Sequence, residues 1–421
     1  MAVIKYDVKH TSLRDRSCKS TIMIISHTDA DGVVSAFVNR LFSRIYTDEL
    51  SPNVVTLGMT APSPAATMSA FKYGLSVCMN EFGKSFSADE FVIVVSDRDF
   101  FSVQDYNYIR ETYGRYTKKL RFICMDHHAT NILINGEYDK ILTKNNDIEM
   151  NIRTESDFAG CNLSLSFWEQ FAVINKVAES RMTDANIKFD DVRDVVVNTR
   201  NWDTFIWREM GAEDQEHALQ MNAMNSALGP KLMFNKLMES TYRMFCERVG
   251  IKELATDNNP VPDLFTELES LRELCKSISD QKIASALDNY LWQMRTEVAN
   301  IGADVIKFGI LFGVEVEVQS MFAQKVFEMD KYYDLDVVAF INYYGTVSVR
   351  IRDGRENIIN GSELGKYAGK LFETNGGGHA NACGFTIDYN DARKTELGQK
   401  TLDALYGVLG MPAPEFKLET K

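Results

Sequence analysis

The chain has 421 residues, of which 45% are hydrophobic and 25% are charged, and its formal net charge is -13. This length exceeds the usual size of one domain, so two or three globular domains are expected. The negative charge disfavours nonspecific adhesion to long nucleic acid, because such binding needs many Lys and Arg side chains to neutralise phosphates. It does not exclude a small anionic substrate that is held by metal ions and a few local cations.

Membrane and disulfide signals are both missing from the sequence. No stretch reaches the roughly 18 uninterrupted apolar residues that a membrane helix requires, and no early segment has the pattern of a secretory signal. We therefore expect a soluble, cytoplasmic protein that does not contact a membrane. The seven cysteines are scattered and form no CxxC pairs, which predicts reduced, mostly buried thiols rather than a disulfide scaffold or a zinc finger.

Three short apolar runs rich in Ile and Val, at 21–26, 91–96 and 121–125, predict strands that are buried on both faces of a parallel sheet. Helix-like stretches at 32–45 and 65–82 lie between them, so the first half is predicted to be α/β. Acidic and imidazole side chains follow all three runs, namely His27, Asp29, Asp31, Asp97, Asp99, Asp126, His127 and His128. Ligands of open parallel sheets bind beyond the carboxyl ends of the strands, so these side chains are expected to converge on one site.

Such a concentration of carboxylates indicates a metal site. Without a cation, several of these carboxylates would have to take up protons. Carboxylates mixed with imidazoles, without thiolates, favour Mn²⁺, for which Mg²⁺ or Co²⁺ can substitute. Two such ions about 3.5 to 4 Å apart would suit hydrolysis of a phosphate ester. Asp203, in the segment NWDTF, is a further candidate ligand, with a helix cap or a surface position as the alternative.

The second half of the chain changes character twice. Long amphipathic stretches between about 230 and 300 predict a helical connector, with apolar residues at helical spacing at Leu274, Ile278, Ile283, Leu287 and Leu291. Strand-like runs return at 308–318 and 336–352, the latter with Val347, Val349 and Ile351 on one face. A second, smaller α/β domain is the simplest interpretation, followed by a frayed tail at 411–421.

A glycine run, GGGHANACG at 376–384, follows a helix-like segment and precedes a strand-like one. A dinucleotide-binding fingerprint or a Walker loop would follow a strand and open a helix, so both are rejected. Three glycines let backbone N–H groups approach an anion closely, and His379, Arg350 and Arg352 could add donors. The alternative is a flexible turn after the end of a helix.

Five ordered segments, SHTDADG, VSDRD, MDHHAT, NWDTF and GGGHANACGF, resemble the DHH phosphoesterase family together with its GGGH-type substrate-binding domain. The resemblance spans residues 21 to 390. It implies a parallel-sheet catalytic domain at 1–215, a helical connector at 216–305 and a mixed α/β substrate-binding domain at 306–421. The active site is then expected in the cleft between the domains.

The resemblance also implies a centre of two divalent metal ions, most similar to a manganese centre. His27 and Asp29 would hold one ion, and Asp97 would bridge the two. The second ion would be held by Asp31, His127 and Asp203. Of the remaining residues, Asp126 would orient a ligand and His128 would face the scissile phosphate. The substrate-binding residues would be Gly376, Gly377, Gly378, His379 and either Arg350 or Arg352.

Within that family the segments are most similar to the nanoRNase, or oligoribonuclease, branch. This implies a phosphodiesterase and exonuclease that hydrolyses short single-stranded oligonucleotides to nucleoside monophosphates by a two-metal mechanism. A RecJ-like single-strand DNA exonuclease and a hydrolase of cyclic dinucleotides or of 3′-phosphoadenosine 5′-phosphate remain alternatives. A catalytically silent nucleotide-binding protein is the alternative of another class. The sequence leaves open whether the protein is a homodimer.

Overall fold

The structure of the protein is a computed structural model that describes residues 3–6, 20–46, 52–60, 63–82, 89–114, 117–128, 147–155, 157–177, 187–248, 263–302, 304–342, 344–374, 376–387 and 394–417. The chain divides into two compact units, Met1–Lys276 and Ser277–Lys421. The boundaries at 215 and 305 stay a prediction. In the described ranges, no helix is both long and apolar enough to cross a membrane.

The first unit is built on a six-stranded sheet whose strand order is β1-β3-β2-β4-β5-β6. β1 is antiparallel to β3, and every other neighbouring pair is parallel. The strands are β1 (Val3–Lys5), β2 (Ser20–His27), β3 (Asn53–Met59), β4 (Glu90–Ser96), β5 (Lys119–Asp126) and β6 (Ile148–Ile152). The three strands predicted from the apolar runs are therefore β2, β4 and β5, at the centre of the sheet.

Helices cover both faces of this sheet. The helices of this unit are α1 (Ala30–Phe42), α2 (Pro64–Phe82), α3 (Val103–Tyr113), α4 (Gly160–Ile174), α5 (Asp190–Asp203), α6 (Ala212–Leu228), α7 (Pro230–Arg248) and α8 (Leu264–Glu267), and α9 (Glu269–Tyr290) begins in this unit and ends in the second. Alternation along β2 sends Ile22 and Ile24 into a core that contains residues of α1, α4 and α5, and Met23 and Ile25 into a core that contains residues of α2 and α3. Burial on both faces explains why these strands are continuous apolar runs.

The second unit contains a smaller mixed sheet in the order β11-β12-β10-β9-β8-β7. Its strands are β7 (Arg295–Ile301), β8 (Asp304–Phe312), β9 (Val337–Ile341), β10 (Thr346–Ile351), β11 (Gly376–His379) and β12 (Ala382–Thr386), and its helices are α10 (Gln319–Glu328), α11 (Gly361–Leu371) and α12 (Lys394–Gly407). Only β8 and β9 are parallel. The predicted α/β fold class is confirmed in both units.

Two predictions for the second unit are wrong in detail. The strand predicted at 308–318 ends at Phe312, because Gly313 has φ 79° and bends the chain, and Val316–Val318 forms a short 3-10 turn. The tail is ordered as far as residue 417, because Phe416 is buried and its N–H donates to Gln399 Oε1 at 2.6 Å. An aromatic side chain buried against α12 thus anchors the chain; residues 418–421 lie outside the described part.

The cysteines follow the prediction wherever the structure describes them. Six are free and buried. Cys18 lies outside the described residues.

Candidate metal centre

The parallel register of the first unit sets the candidate site at the carboxyl edge of three strands. Ser26 of β2 pairs with Ser96 of β4, which pairs with Met125 of β5. The residues that follow these three are His27, Asp97 and Asp126, so the register brings their backbones side by side. The structure therefore brings together the strand ends whose convergence the sequence predicted.

A first group of candidate ligands consists of His27, Asp29 and Asp97, whose ligand atoms all lie within 4.8 Å of one another. His27 Nδ1 lies 2.7 Å from Asp29 Oδ2 and 4.0 Å from Asp97 Oδ2. The other ring nitrogen, Nε2, lies 3.0 Å from the carbonyl oxygen of Thr60. Because a carbonyl can only accept, Nε2 carries a proton, which leaves Nδ1 to face the carboxylates or a cation.

Asp29 also caps the N-terminus of α1. It is the N-cap residue of the helix, and its Oδ1 accepts the N–H of Gly32 at 2.8 Å. Burial by itself would raise the pKa of Asp29, but the charge of His27 and hydrogen bonds from His27 and Gly32 hold that pKa below its ordinary value. Asp29 is therefore ionised and held in place by the helix that it caps.

A second group consists of Asp31, His127 and Asp203, again with all ligand atoms within 4.8 Å. His127 Nε2 lies 3.7 Å from Asp31 Oδ2 and 3.5 Å from Asp203 Oδ2. Burial, followed by the charge of His128, lowers the pKa of His127, so its ring is neutral near pH 7 and offers a lone pair. Asp203 is the last residue of α5, and the structure brings it to the other ligands despite its distance along the chain.

Asp97 lies between the two groups. Its Oδ1 is 3.2 Å from His127 Nε2, and it also forms a third group with His127 and His128. Its backbone has φ 53°, a left-handed conformation that non-glycine residues rarely adopt, and such strain is concentrated at functional sites. The same side chain can therefore reach a cation on either side.

The donor set of these groups fits divalent cations. Asp97 Oδ2 and Asp203 Oδ2 are buried, and within the described ranges neither has a hydrogen-bond partner. Burial, followed by the charge of Asp31, raises the pKa of both carboxyls well above the ordinary value. Burial without metal therefore favours the protonated forms of these carboxyls, and divalent cations would take the place of those protons.

Asp126 and His128 form a tight pair next to these groups. Asp126 Oδ1 lies 2.8 Å from His128 Nδ1, and Asp126 Oδ2 accepts the backbone N–H of His128 at 3.0 Å. Burial alone would lower the pKa of His128, but Asp126 outweighs it and the pKa rises to about 10. The pair holds a protonated imidazole in one orientation.

Asp31 is held by a contact that sequence reasoning missed. The first N–H groups of α4, at Gly160 and Cys161, donate to Asp31 Oδ2 and Oδ1 at 2.6 and 2.8 Å. A Cβ on Gly160 would lie 2.5 Å from the Asp97 Cβ, so only glycine fits. The available signal was the small-residue run AGC, which begins an amphipathic helix. A carboxylate at a helix N-terminus is favourable electrostatically.

A buried polar network lies next to the candidate ligands. Ser26 Oγ donates to the carbonyl of Gly32 at 2.7 Å, and Ser96 Oγ donates to Ser26 Oγ at 3.2 Å. Asn39 Nδ2 donates to Ser96 Oγ at 3.0 Å, and Trp168 Nε1 donates to Asn39 Oδ1 at 2.7 Å. The network joins β2, β4, α1 and α4 at the residues that precede His27 and Asp97, and a fully bonded buried network of this kind keeps its members in one arrangement.

The glycine run of the second unit is a strand. Gly376–His379 is β11, paired antiparallel with β12, where the sequence analysis favoured an open phosphate nest. Close backbone packing against α11 explains Gly376, since a Cβ there would lie 2.1 Å from the carbonyl oxygen of Gly365. The same packing explains Gly365 of α11, where a Cβ would lie 2.7 Å from Gly377 N. Gly377 itself has open space at its Cβ position, and His379 is exposed.

The two candidate arginines of the second unit differ in their bonding. Arg350 donates to Ser320 Oγ from Nε and Nη2, at 3.0 and 2.9 Å, and to Ser348 Oγ from Nη1 at 2.8 Å. Arg352 uses all three guanidinium nitrogens on backbone carbonyls, at 2.6 to 3.0 Å, and its acceptors are Leu335, Phe327 and Tyr332. Arg352 therefore binds the backbone of the segment 327–335, and its contact with a phosphate stays a prediction.

Comparisons with known proteins support the fold. No family model matches the chain, and no curated protein matches its sequence. Among solved structures, the DHH domain of a member of the s1p family of ribosomal proteins aligns with a TM-score of 0.54 and 13% identity, over 94% of this chain and 88% of that one.

Two further structures align less well. RecJ from Thermus thermophilus, in complex with Mn²⁺, aligns with a TM-score of 0.47 and 13% identity, over 94% of this chain and 53% of that one. An exopolyphosphatase-related protein from Bacteroides fragilis has a TM-score of 0.44 and 11% identity, over 94% of both chains. At the level of fold, the first of the three comparisons shows that the chain is built like a DHH-domain protein.

Proposed function

We propose that the protein is a metal-dependent phosphodiesterase of the DHH type that hydrolyses short single-stranded oligonucleotides to nucleoside monophosphates. The observation that carries this proposal is the pair of ligand groups that flank Asp97. His27 and Asp29 lie on one side of it, and Asp31, His127 and Asp203 lie on the other. Two adjacent sites of carboxylate and imidazole ligands are the usual arrangement for two-metal phosphoester hydrolysis.

In this proposal each group holds one divalent ion and Asp97 contributes to both. When bound, such ions would supply positive charge for the phosphoryl oxygens and would lower the pKa of water. Mixed oxygen and nitrogen ligands without thiolates favour Mn²⁺, with Mg²⁺ or Co²⁺ as substitutes. The chain contributes the geometry, because α4 holds Asp31, the N-cap position holds Asp29, and the buried network fixes the strand ends.

His128 is the proposed proton donor and charge-stabilising residue. Its Nδ1 is bound to Asp126, which fixes the plane of the ring beside the ligand group of Asp97 and His127. A donor that is aligned before the reaction stabilises charge as it develops on the phosphoryl oxygens or the leaving group. Asp126 acts through His128, by orienting the ring and keeping it protonated.

The second unit is proposed to hold the substrate. Gly377 has open space at its Cβ position and His379 is exposed, so a phosphate or terminal nucleotide can approach the backbone and the imidazole there. The net charge of -13 favours short substrates, because a nuclease that tracks a long strand needs a basic groove.

A panel of substrates tests the proposal. Labelled dinucleotides, 20-mers of RNA and DNA, cyclic dinucleotides and 3′-phosphoadenosine 5′-phosphate are offered to chelated protein reconstituted with Mn²⁺, and bound metal is measured on the same sample. We expect the fastest turnover on the dinucleotides. Preference for the long DNA would indicate a RecJ-like exonuclease, and preference for the cyclic or 3′-phosphorylated nucleotides would indicate the other hydrolases. A metal-loaded protein that binds nucleotides without turnover would be a silent binding protein.

A further inference from the structure

Arg98 is a fully buried cation beside the candidate metal centre. Its exposed fraction is 0%, and it directly follows Asp97 in the chain. Charged side chains are rarely buried so completely, because removing a charge from water costs much free energy. A buried guanidinium next to a group of carboxylates therefore calls for an electrostatic explanation.

The hydrogen bonds of Arg98 tie it to the end of β2 and to α2. Its Nη1 lies 3.4 Å from the carbonyl oxygen of Ser26, the residue before His27, and its Nε donates to Thr67 Oγ1 at 2.9 Å. Thr67 Oγ1 in turn donates to the carbonyl of Asp99 at 2.7 Å. The guanidinium is thus fixed beneath the strand ends that carry His27 and Asp97.

Arg98 adjoins the ligand group of His27, Asp29 and Asp97. Asp97 directly precedes it in the chain, and its Nη1 lies 3.4 Å from the carbonyl oxygen of Ser26, the residue before His27. A guanidinium stays protonated in proteins, so Arg98 places one fixed positive charge beside carboxylates that would otherwise repel one another. Since uncompensated buried charge is strongly unfavourable, the cation and the carboxylates offset each other.

We propose that Arg98 is the fixed countercharge of the metal centre. It offsets the charge of the carboxylates before metal binds. This inference rests on the proposed two-metal function. Arg98 is a positioning residue in this proposal, since it acts on the ions through the charge that it adds and not by contact with the substrate. The competing explanation is a purely structural anchor between β2 and α2.

The two explanations predict opposite changes in metal affinity. In Arg98→Met the stem remains and the charge is lost, so the metal-free protein should melt at a lower temperature while Mn²⁺ binds more tightly. We expect the dissociation constant for Mn²⁺ to fall by at least about tenfold, because removing a unit positive charge near a divalent ion removes a repulsion of more than about 1 kcal/mol. Loss of a structural anchor would instead lower the melting temperature and weaken Mn²⁺ binding together.

Isothermal titration calorimetry of the full chain with MnCl₂, after chelation, measures the effect, with thermal melting of the metal-free protein beside it. Arg98→Lys keeps the charge and should bind Mn²⁺ like the wild type. Arg272→Met is the matched control, because Arg272 is also buried, at 3% exposure, but stacks on Phe265 and bonds Gln220. It should lower the melting temperature and leave Mn²⁺ affinity unchanged.

The outcomes separate the inference from the proposed function. If wild-type protein binds two Mn²⁺ ions and Arg98→Met binds them with equal or lower affinity, the countercharge is refuted and the function stands. If Arg98→Met does not fold, Arg98→Lys decides: wild-type affinity supports the countercharge, and a clear loss of affinity refutes it. If wild-type protein binds no divalent ion, the proposed function fails first.

Discussion

Gly160 offers the sharpest test of the site, because replacing it with alanine adds one methyl group between two candidate metal ligands. The added Cβ would lie 2.5 Å from the Asp97 Cβ, 2.9 Å from the Asp97 Cα and 3.0 Å from Asp31 Oδ2. The obstacle is partly backbone, so no side-chain rotation relieves it. The variant Gly160→Ala should therefore displace Asp97 or α4.

The size of the displacement follows from the distances. Ordinary contacts of a Cβ begin at 3.4 Å, so a Cβ at 2.5 Å requires a shift of about 1 Å. Metal–ligand distances tolerate only about 0.2 Å, so the shift would remove Asp97 as a ligand. Because losing a residue that merely orients a ligand already costs about 10- to 100-fold in metal affinity, we expect at least about a hundredfold loss here. Overpacking should cost about 1 to 3 kcal/mol of stability.

Calorimetric Mn²⁺ titration, dinucleotide hydrolysis and urea unfolding of Gly160→Ala together measure these effects. The matched control is Gly211→Ala, because a Cβ at Gly211 would have no atom within 4 Å. Gly211 is the N-cap residue of α6, so the control should lose at most about 1 kcal/mol and keep wild-type affinity for Mn²⁺. Wild-type metal affinity and turnover in Gly160→Ala would refute the close approach of α4 to Asp97.

Three further predictions concern charge and substrate binding. In Asp97→Asn the new side chain tolerates the left-handed backbone but lacks the charge. Turnover should fall at least about a hundredfold while the circular dichroism spectrum stays unchanged, and near wild-type turnover would contradict a ligand shared by both ions. His379→Ala should raise KM for dinucleotides and leave kcat nearly unchanged, and a fall in kcat alone would argue against substrate binding by the second unit. The pKa values of Asp97 and Asp203 are raised by burial, then by Asp31, so the metal-free folded state binds more protons than the unfolded state. Its melting temperature should therefore fall as the pH rises above about 4, and a rise measured with chelator present would be inconsistent with this.

The sequence predicted the centre of the first unit well, because each of its signals is local. Continuous apolar runs predict strands buried on both faces, and a parallel sheet places their carboxyl ends at one edge. This reasoning brings His27, Asp97 and Asp126 together without any structure. For Asp203 the residues alone left a ligand, a helix cap and a surface position open, because the position of the end of α5 depends on how that helix packs.

Other features depend on contacts between distant parts of the chain. Gly160 holds Asp31 through its N–H, and nothing in the local sequence shows that a carboxylate lies there. The glycine triplet was expected to form an open anion nest, whereas it lies in a strand and packing against α11 explains Gly376; its binding of substrate stays a prediction. The predicted apolar face of α9 was also partly wrong, since Leu274 is 57% exposed while Cys275 and Ile283 are buried in two different cores.

The strand order of the first unit has a consequence for the kinetics of folding. β4 lies between β2 and β5, and Asp31 bonds Gly160 across 129 positions in the chain. Contacts at such separation form late and make folding slow. The candidate metal ligands come from the same distant segments, so an ion can bind them only after those contacts have formed. Bound metal should therefore slow unfolding and leave the rate of folding nearly unchanged. Bound metal would then give the first unit kinetic stability without taking part in its folding nucleus.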